Sequence, residues 1–158
     1  MSYSLGPTSL AKLATVDPRL QAIVERAIEL TTVDFMVLEG ARTQKRQYEL
    51  YAKGRSVAEL RKAGVPMSVL AQPREAKVTW VLKSNHFVDP KTGFGRAVDL
   101  VPYPVDWNDT SKFNEISKAM FAAAKELGDK LRWGADWDQD GNPRERGETD
   151  SPHFELVG

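Results

Sequence analysis

Cysteine is absent from the sequence, which excludes disulfide bonds and every metal site built on thiolates. Histidine is scarce too, with only His86 and His153 among 158 residues. Any transition-metal site formed by the protein alone would therefore use these two imidazoles together with a carboxylate. This donor set suits zinc and leaves one coordination position open, as in catalytic zinc sites.

Net charge and long apolar runs are absent as well. The 22 basic residues balance 22 acidic residues, so no overall field draws the protein to nucleic acid or to an anionic membrane. No window reaches the roughly 20 apolar residues that span a bilayer, and residues 1–7 lack the basic and apolar regions of a signal peptide. We expect no nucleic-acid binding, no membrane insertion and, with no signal peptide, synthesis and retention in the cytoplasm.

Apolar periodicity predicts short strands separated by helices. The predicted helices cover 18–30, the segment after Arg42 as far as Lys53, a short stretch between the capping box at Ser56 and Gly64, and 111–127. The predicted strands cover 35–38, 78–82, 97–101, 131–133 and 153–157. With no βαβ repeat, this order indicates an α+β fold with a small antiparallel sheet flanked by helices, in one domain spanning 1–158.

Asp99 is the most informative carboxylate, because it lies inside an apolar predicted strand. Burying a carboxylate between apolar neighbours is costly unless it is paired or bound to a metal. If 78–82 and 97–101 form a hairpin, His86 and Asp99 lie at the edges of adjacent strands. Taken alone, each residue is better explained by a loop or capping role, but together His86, Asp99 and His153 predict a set of zinc ligands.

Acidic residues near His153 are candidates for acid-base chemistry. Asp150 lies three positions earlier in a proline-containing turn, where it could act as general base and acid, although Asp-Ser-Pro is also an ordinary turn sequence. Glu148 competes for the same role. Glu155, two positions after His153 on the predicted strand, would share its face and could orient that ligand.

Arg42 and Ser84 are candidates for substrate contacts. Arg42 lies at a strand-to-helix turn, where a fixed cation could hold a carbonyl oxygen, its developing oxyanion or a carboxylate. A surface arginine with no such role is the other interpretation. Ser84, two positions before His86, could hydrogen-bond to substrate or to loop backbone, and no histidine–aspartate partner arrangement marks it as a nucleophile.

Five motifs follow one another along the chain. They are Gly40-Ala41-Arg42-Thr43 with Gln47 and Leu50-Tyr51, Ser84-x-His86, Gly95-x-Ala97-Val98-Asp99-Leu100, Trp133-Gly134-Ala135-Asp136-Trp137, and Asp150-x-Pro152-His153-Phe154-Glu155. Together they resemble the zinc peptidases of the D-Ala-D-Ala carboxypeptidase and hedgehog-like fold. Within that family, the sequence is most similar to the phage endolysins that act as L-alanyl-D-glutamate peptidases, and the resemblance spans nearly the whole chain.

The resemblance implies a role for each matching residue. The zinc ligands would be His86, Asp99 and His153. Asp150 would be the catalytic base, and Arg42 would stabilise the carbonyl oxygen. Roles in binding substrate or in supporting the ligands would fall to Ser84, Gln47, Glu155 and Trp133.

Two parts of the chain depart from the family pattern. His86 and Asp99 are thirteen positions apart, which is longer than usual and indicates a loop at 88–94 inserted before the strand that carries Asp99. The segment 57–80 is also longer than usual. We expect both insertions to shape the substrate groove and to leave the identity of the ligands unchanged.

The acidic loop before the last strand matches the first half of a calcium loop. Oxygen ligands at alternate positions, followed by a glycine, let a chain wrap around a hard cation. The matching residues are Asp136, Asp138, Asp140 and Gly141. Asn142 would be a further ligand. Position twelve is Gly147 rather than glutamate, so Glu145 or Glu148 would supply the missing oxygen. A solvated acidic turn is the alternative; a bound calcium ion would order the loop that delivers Asp150 and His153.

The implied function is that of a zinc endolysin that hydrolyses the L-Ala–D-Glu bond of the peptidoglycan stem peptide during host lysis by a phage. The enzyme would be a monomer that waits in the host cytoplasm and reaches the periplasm and cell wall through a phage-made membrane pore. A single domain with no separate wall-binding domain suits a Gram-negative host. Two alternatives stay open: a D-Ala-D-Ala carboxypeptidase or dipeptidase with the same site, and a non-catalytic peptidoglycan-binding domain stabilised by zinc.

Overall fold

A computed structural model describes residues 3–42, 44–77, 91–136, 139–141, 143–144 and 150–157. The elements follow one another as α1 (Pro7–Leu13), α2 (Pro18–Leu30), β1 (Phe35–Glu39), α3 (Gln44–Ala52), α4 (Val57–Lys62), β2 (Ala97–Pro102), α5 (Thr110–Leu127), β3 (Leu131–Trp133) and β4 (His153–Leu156). Helices lie between β1 and β2 and between β2 and β3, and all the strand pairs are antiparallel. The predicted α+β class with a small antiparallel sheet is confirmed.

The four strands form one antiparallel sheet in the order β1-β2-β4-β3. Because successive side chains of a strand point to opposite faces, the sheet has an apolar face and a polar face. The apolar face carries Phe35, Val37, Val98, Leu100, Leu131, Trp133, Phe154 and Leu156, all of them in the main hydrophobic core. The polar face carries the other residues of each strand, and the predicted site residues Asp99 and His153 are among them.

Helices α2 and α5 pack against each other, and α5 contacts β2 and β3, so the core lies between the helices and the apolar face. Local signals explain where these helices begin and end. The Asp17 carboxylate caps α2 by accepting a hydrogen bond from the backbone N–H of Arg19 at 2.9 Å. The α5 helix ends at Gly128, whose φ of 77° is the left-handed conformation that favours glycine. This packing fixes the sheet that presents the polar face.

A β-bulge in β1 places one more acidic residue on the polar face. The pairing of β1 with β2 shifts register between Val37 and Glu39, so Glu39 lies directly opposite Asp99. Without that extra residue, Glu39 would share the apolar face with Val37. The bulge therefore brings a second carboxylate to the side of the sheet that carries Asp99.

The helix boundaries lie close to those predicted from the sequence, with α2 at 18–30 and α4 opening on a complete capping box at Ser56. Helix α1 was not predicted, because Gly6 offers no capping side chain and the helix is only seven residues long. The predicted strand 78–82, and with it the predicted hairpin, lies outside the described residues. In the described part of the chain, the neighbours of β2 are β1 and β4. No helix in that part is long and apolar enough to cross a membrane.

Candidate active site

Asp99 and His153 are the centre of the polar face. They lie directly opposite each other on the paired strands β2 and β4, with Asp99 Oδ1 3.5 Å from His153 Nδ1. Directly opposed residues in an antiparallel pair point to the same side, so this contact follows from the register. His153 is 6% exposed. The structure thus brings together two of the three residues predicted to bind zinc.

The other ring nitrogen of His153, Nε2, is bonded to a carboxylate on the same strand. Its Nε2 lies 2.8 Å from Oε1 of Glu155, which shares its face two residues further along β4. The second oxygen of that carboxylate accepts a hydrogen bond of 2.8 Å from Arg132, on the neighbouring strand β3. Because Nε2 is occupied in this way, Nδ1 is the nitrogen that faces Asp99. Glu155 thus lies where a residue that orients the His153 ring would lie, and its support role stays a prediction.

The charges around His153 favour a cation in this position. Burial lowers its pKa, but the nearby carboxylates of Asp99 and Glu155, with the charge of Asp150, outweigh burial and raise the pKa to about 9. Burial likewise raises the pKa of Glu155, and hydrogen bonds from His153 and Arg132 override it, so that this pKa falls to about 2. A pocket that holds a proton on His153 at neutral pH is electrostatically suited to exchange it for a metal ion.

Asp150 approaches the same ring nitrogen from the loop before β4. Its Oδ2 lies 3.8 Å from His153 Nδ1, and its side chain is half exposed. The backbone fixes this position, because the N–H of His153 donates to the Asp150 carbonyl at 3.1 Å and the N–H of Asp150 donates to the Gly134 carbonyl at 3.2 Å. A carboxylate that is open to solvent and close to the ligand cluster can exchange protons with a bound substrate.

Gly134 is the backbone support for this arrangement. Its N–H donates to the His153 carbonyl at 2.8 Å, and a Cβ placed on it would lie 2.2 Å from the Asp150 carbonyl oxygen and 3.0 Å from the His153 Cβ. Only glycine lets the two segments approach so closely. Steric crowding therefore explains why the second residue of the Trp-Gly-Ala-Asp motif is glycine.

Replacing Gly134 with alanine is expected to lower catalytic turnover at this site by about 10²-fold, because the added methyl group must displace Asp150 by about 1 Å. Turnover of purified peptidoglycan, the substrate that the sequence resemblance implies, checks this expectation through the release of soluble fragments. Gly6→Ala is the matched control, since a Cβ at Gly6 meets nothing within 4 Å. An alanine at 134 with unchanged turnover would show that the close approach does not matter.

Arg42 lies at the turn between β1 and α3, as predicted. Its Nε and Nη2 donate to the two oxygens of Glu39 at 2.8 and 2.5 Å, and its Nη1 donates to Gln47 Oε1 at 2.5 Å. These bonds use three of the five guanidinium N–H groups, and no bond from the other two to a described residue is seen. Arg42 is thus held rigidly with donors still available.

The positive charge of Arg42 interacts with the carboxylates of the same site. Burial lowers its pKa, but the hydrogen bond and charge of Glu39, with smaller contributions from Asp99 and Asp150, raise that pKa overall. Its side chain is 12% exposed, which argues against the alternative of an ordinary surface arginine. Gln47 is completely buried and accepts a hydrogen bond from Arg42, so it supports Arg42 and is not itself exposed to substrate.

The donor set of the described residues fits a zinc ion in part. Asp99 supplies a carboxylate, and His153 supplies a ring nitrogen whose partner nitrogen is already fixed by Glu155, the usual arrangement behind a metal-binding histidine. Within the described residues, no group of three or more His, Asp or Glu side chains forms a complete metal site. The third predicted ligand, His86, and the predicted substrate residue Ser84 lie outside those residues, as does Glu148, the competing base.

The Trp133 side chain is packed inside the protein and is not exposed on the surface of the site. It is buried in the core, stacks on Phe154 with ring centroids 6.2 Å apart, and donates from Nε1 to the Ser151 carbonyl at 2.6 Å. Substrate contact, one of its two predicted roles, is thus disfavoured because the indole is covered. It holds the residue next to Asp150 instead.

Three contributing residues were not predicted: Glu39, Arg132 and Arg144. Arg144 lies over the Trp133 ring at 5.4 Å and donates from Nη1 to Asn114 on α5 at 2.8 Å, so it ties the acidic loop to the helix. A polar residue between two core residues, as in Leu131-Arg132-Trp133, is the signal that could have identified Arg132. Nothing in the local sequence identifies Glu39 or Arg144.

The predicted calcium loop is described only in part. The Asp136 carboxylate accepts hydrogen bonds from the backbone N–H groups of Asp140 at 3.3 Å and Gly141 at 3.1 Å. The loop therefore closes around Asp136, as in the first half of a calcium loop. The other expected ligands, Asp138, Asn142 and Glu145, lie outside the described residues, and calcium binding stays a prediction.

Comparison with known proteins agrees with this geometry. A family model described as phage L-alanyl-D-glutamate peptidase matches residues 1–67 and 67–157. The chain is 37% identical over 163 residues to the L-alanyl-D-glutamate peptidase of Escherichia phage T5, covering 99% of this chain and 100% of that protein. The fold is similar to the crystal structure of the Serratia marcescens L-Ala D-Glu endopeptidase ChiX, with a TM-score of 0.62, 28% identity and coverage of 96% of this chain and 87% of the other.

The fold and the polar face of the sheet thus define a peptidase. The chain belongs to the family of phage L-alanyl-D-glutamate peptidases. The family resemblance noted in the sequence is confirmed, and it extends along both halves of the chain.

Proposed function

We propose that this protein is an endolysin that hydrolyses the L-Ala–D-Glu bond of the peptidoglycan stem peptide. The observation that carries the proposal is the convergence of Asp99, His153, Asp150 and Arg42 on one face of the sheet in a chain whose relatives bear that activity in their names. A domain that only binds peptidoglycan would need neither an exposed carboxylate beside the ligands nor a buried arginine with available donors. We therefore favour the enzyme over the binding module.

The side chains divide the chemistry between them. Asp150 would accept the proton of the water that attacks the peptide carbonyl and then donate a proton to the leaving amine of D-Glu. Arg42, held by Glu39 and Gln47, would donate hydrogen bonds to the carbonyl oxygen as negative charge develops on it. Both groups act from fixed positions, so little reorganisation is needed at the moment of reaction.

We propose zinc as the metal, held by His153 through Nδ1, by Asp99 and by His86. A bound zinc ion would polarise the carbonyl and lower the pKa of a coordinated water to about 7. Three carboxylates would favour the positive charge of the zinc ion at this position, because Asp99, Asp150 and Glu155 all lie within 4 Å of the His153 ring. Calcium at the Asp136 loop is the second proposed ion, and by ordering that loop it would steady Asp150.

The cellular setting is also part of the proposal. We infer that the enzyme is a monomer that is made in the host cytoplasm and reaches the cell wall through a membrane pore formed by other phage proteins. The support is the membership of a phage peptidase family and the absence, in the described part of the chain, of a helix that could cross a membrane.

Mass spectrometry of digested muropeptides tests the proposed substrate. Purified zinc-loaded protein incubated with Gram-negative peptidoglycan is expected to release fragments with new L-Ala C-termini and D-Glu N-termini. Loss of only the terminal D-Ala would instead identify a D-Ala-D-Ala carboxypeptidase. If no bond is cut while the protein still sediments with peptidoglycan, the binding-module alternative is correct.

A further inference from the structure

We propose that Arg132 is a positioning residue for the zinc ligand His153 and acts on it through Glu155. The inference rests on the proposed function, because it concerns the metal site of that same enzyme. Arg132 lies on β3 and contacts Glu155, and none of the five sequence motifs includes it. Its role follows from two contacts, which join Arg132 to Glu155 and Glu155 to His153, and from the small residue that pairs with Glu155 on β2.

The first contact joins Arg132 to Glu155. The two residues are direct partners on the antiparallel strands β3 and β4, and Arg132 Nη2 lies 2.8 Å from Glu155 Oε2. Register pairing places both side chains on the polar face, so the ion pair is set by the backbone. The Glu155 side chain is only 6% exposed, whereas that of Arg132 is 38% exposed.

The second contact joins Glu155 to His153. Oε1 of the same carboxylate meets His153 Nε2 at 2.8 Å, so the two oxygens of Glu155 each have a different partner. A carboxylate held at one oxygen only can rotate about its terminal bond. Held at both, it fixes the plane in which the His153 ring must lie to keep its bond.

The third feature is the space that confines Glu155 on its other side. Its partner on β2 is Ala97, which is completely buried. The side chain of Ala97 is a single methyl group, so it offers Glu155 no polar partner on the β2 side. On the β3 side, Arg132 donates a hydrogen bond to the outer oxygen of Glu155.

Through these contacts, Arg132 determines which nitrogen of His153 faces Asp99. Removing Arg132 takes away one of the bonds that hold Glu155, so the carboxylate and the His153 ring bonded to it are expected to keep their orientation less firmly, and Nδ1 to point less steadily at the metal position. Loss of an outer partner of a metal-binding histidine typically weakens metal binding by about 10–100-fold. We expect a loss of that size for Arg132→Gln.

The test is the zinc dissociation constant of the purified protein, measured by competition with a chromophoric chelator. Arg132→Gln is expected to raise the dissociation constant by about 10–100-fold, and Arg132→Lys, which keeps the charge, by clearly less. Arg26→Gln is the matched control, because Arg26 forms an ion pair of the same 2.8 Å length with Glu126 on the opposite side of the core. The control should bind zinc as the wild type does.

A double-mutant cycle tests the route through Glu155. If Arg132 acts only through that carboxylate, Arg132→Gln adds nothing to the zinc affinity of Glu155→Gln. Additive effects of the two substitutions on zinc affinity would overturn the route through Glu155. An Arg132→Gln variant that binds zinc as tightly as the wild type would overturn the inference. The proposed function would still stand in that case if the wild type cuts L-Ala–D-Glu bonds. A wild-type protein that binds no zinc would contradict the zinc site of the proposed function itself and the inference with it.

Discussion

Replacing Asp150 with asparagine is expected to lower kcat for peptidoglycan hydrolysis by about 10²–10⁴-fold, the usual contribution of a positioned acid-base group. Asparagine keeps the size of the side chain and the backbone bonds to Gly134 and His153, but it cannot accept a proton from the attacking water. Zinc binding should be retained, because the half-exposed carboxylate lies beside the ligands and is not one of them. The measurement is kcat on purified peptidoglycan together with the zinc content of the same sample.

Asp106→Asn is a suitable control for this substitution. Asp106 is exposed in the loop after β2, where it accepts a hydrogen bond from the backbone of Asn108 that asparagine can also accept. Its kcat should equal that of the wild type. If Asp150→Asn keeps full activity with zinc bound, the proton is carried by another group, and Glu148 becomes the candidate.

The second large effect is expected for His153→Ala, which removes a proposed zinc ligand. We expect less than one zinc for every ten chains at micromolar metal, since loss of a ligand costs at least the 10–100-fold seen for outer partners, and activity should fall with the metal. The three carboxylates around the ring would remain, so the site would still attract cations without holding one in a fixed geometry. Elemental analysis after gel filtration gives the zinc content directly.

A core substitution separates metal loss from loss of folding. Ile116→Val removes one methylene from the completely buried face of α5 and should cost about 0.5–1.5 kcal/mol of stability with the zinc content unchanged. His153→Ala protein that is folded by circular dichroism and still carries one zinc per chain would contradict the ligand assignment.

Much of the scaffold could be predicted from local signals. The Asp17-Pro18 pair, the capping box at Ser56 and the glycine after α5 each determine a helix end through contacts within a few residues. Period-two alternation also separates the two faces of β4, so that His153 and Glu155 could be placed on one face from the sequence alone.

Other parts of the site depend on contacts that no local pattern contains. The bulge that turns Glu39 toward Asp99 is a property of the pairing between β1 and β2, and the pairing partner cannot be read from either strand alone. The link from Arg132 to Glu155 likewise exists only because β3 and β4 are neighbours across a long loop. Resemblance to a family pointed to Gln47 and Glu155 as supporting residues, but it did not include Glu39 or Arg132.

The steric reason for Gly134 is the clearest case of this difference. The sequence shows a glycine in a Trp-Gly-Ala-Asp motif, which is equally typical of a turn. Only the folded chain shows that the carbonyl of Asp150 would lie 2.2 Å from its Cβ. Tertiary contact, and not turn conformation, accounts for glycine at this position.

The most direct test of the central claim is a crystal structure of the zinc-loaded protein with anomalous data collected at the zinc edge. The account predicts one strong peak on the polar face of the sheet, about 2.0–2.2 Å from His153 Nδ1 and from a carboxylate oxygen of Asp99, with His86 completing the set. His153 Nε2 should remain bonded to Glu155. A peak bonded to Nε2 instead, or a zinc ion elsewhere in the molecule, would contradict it.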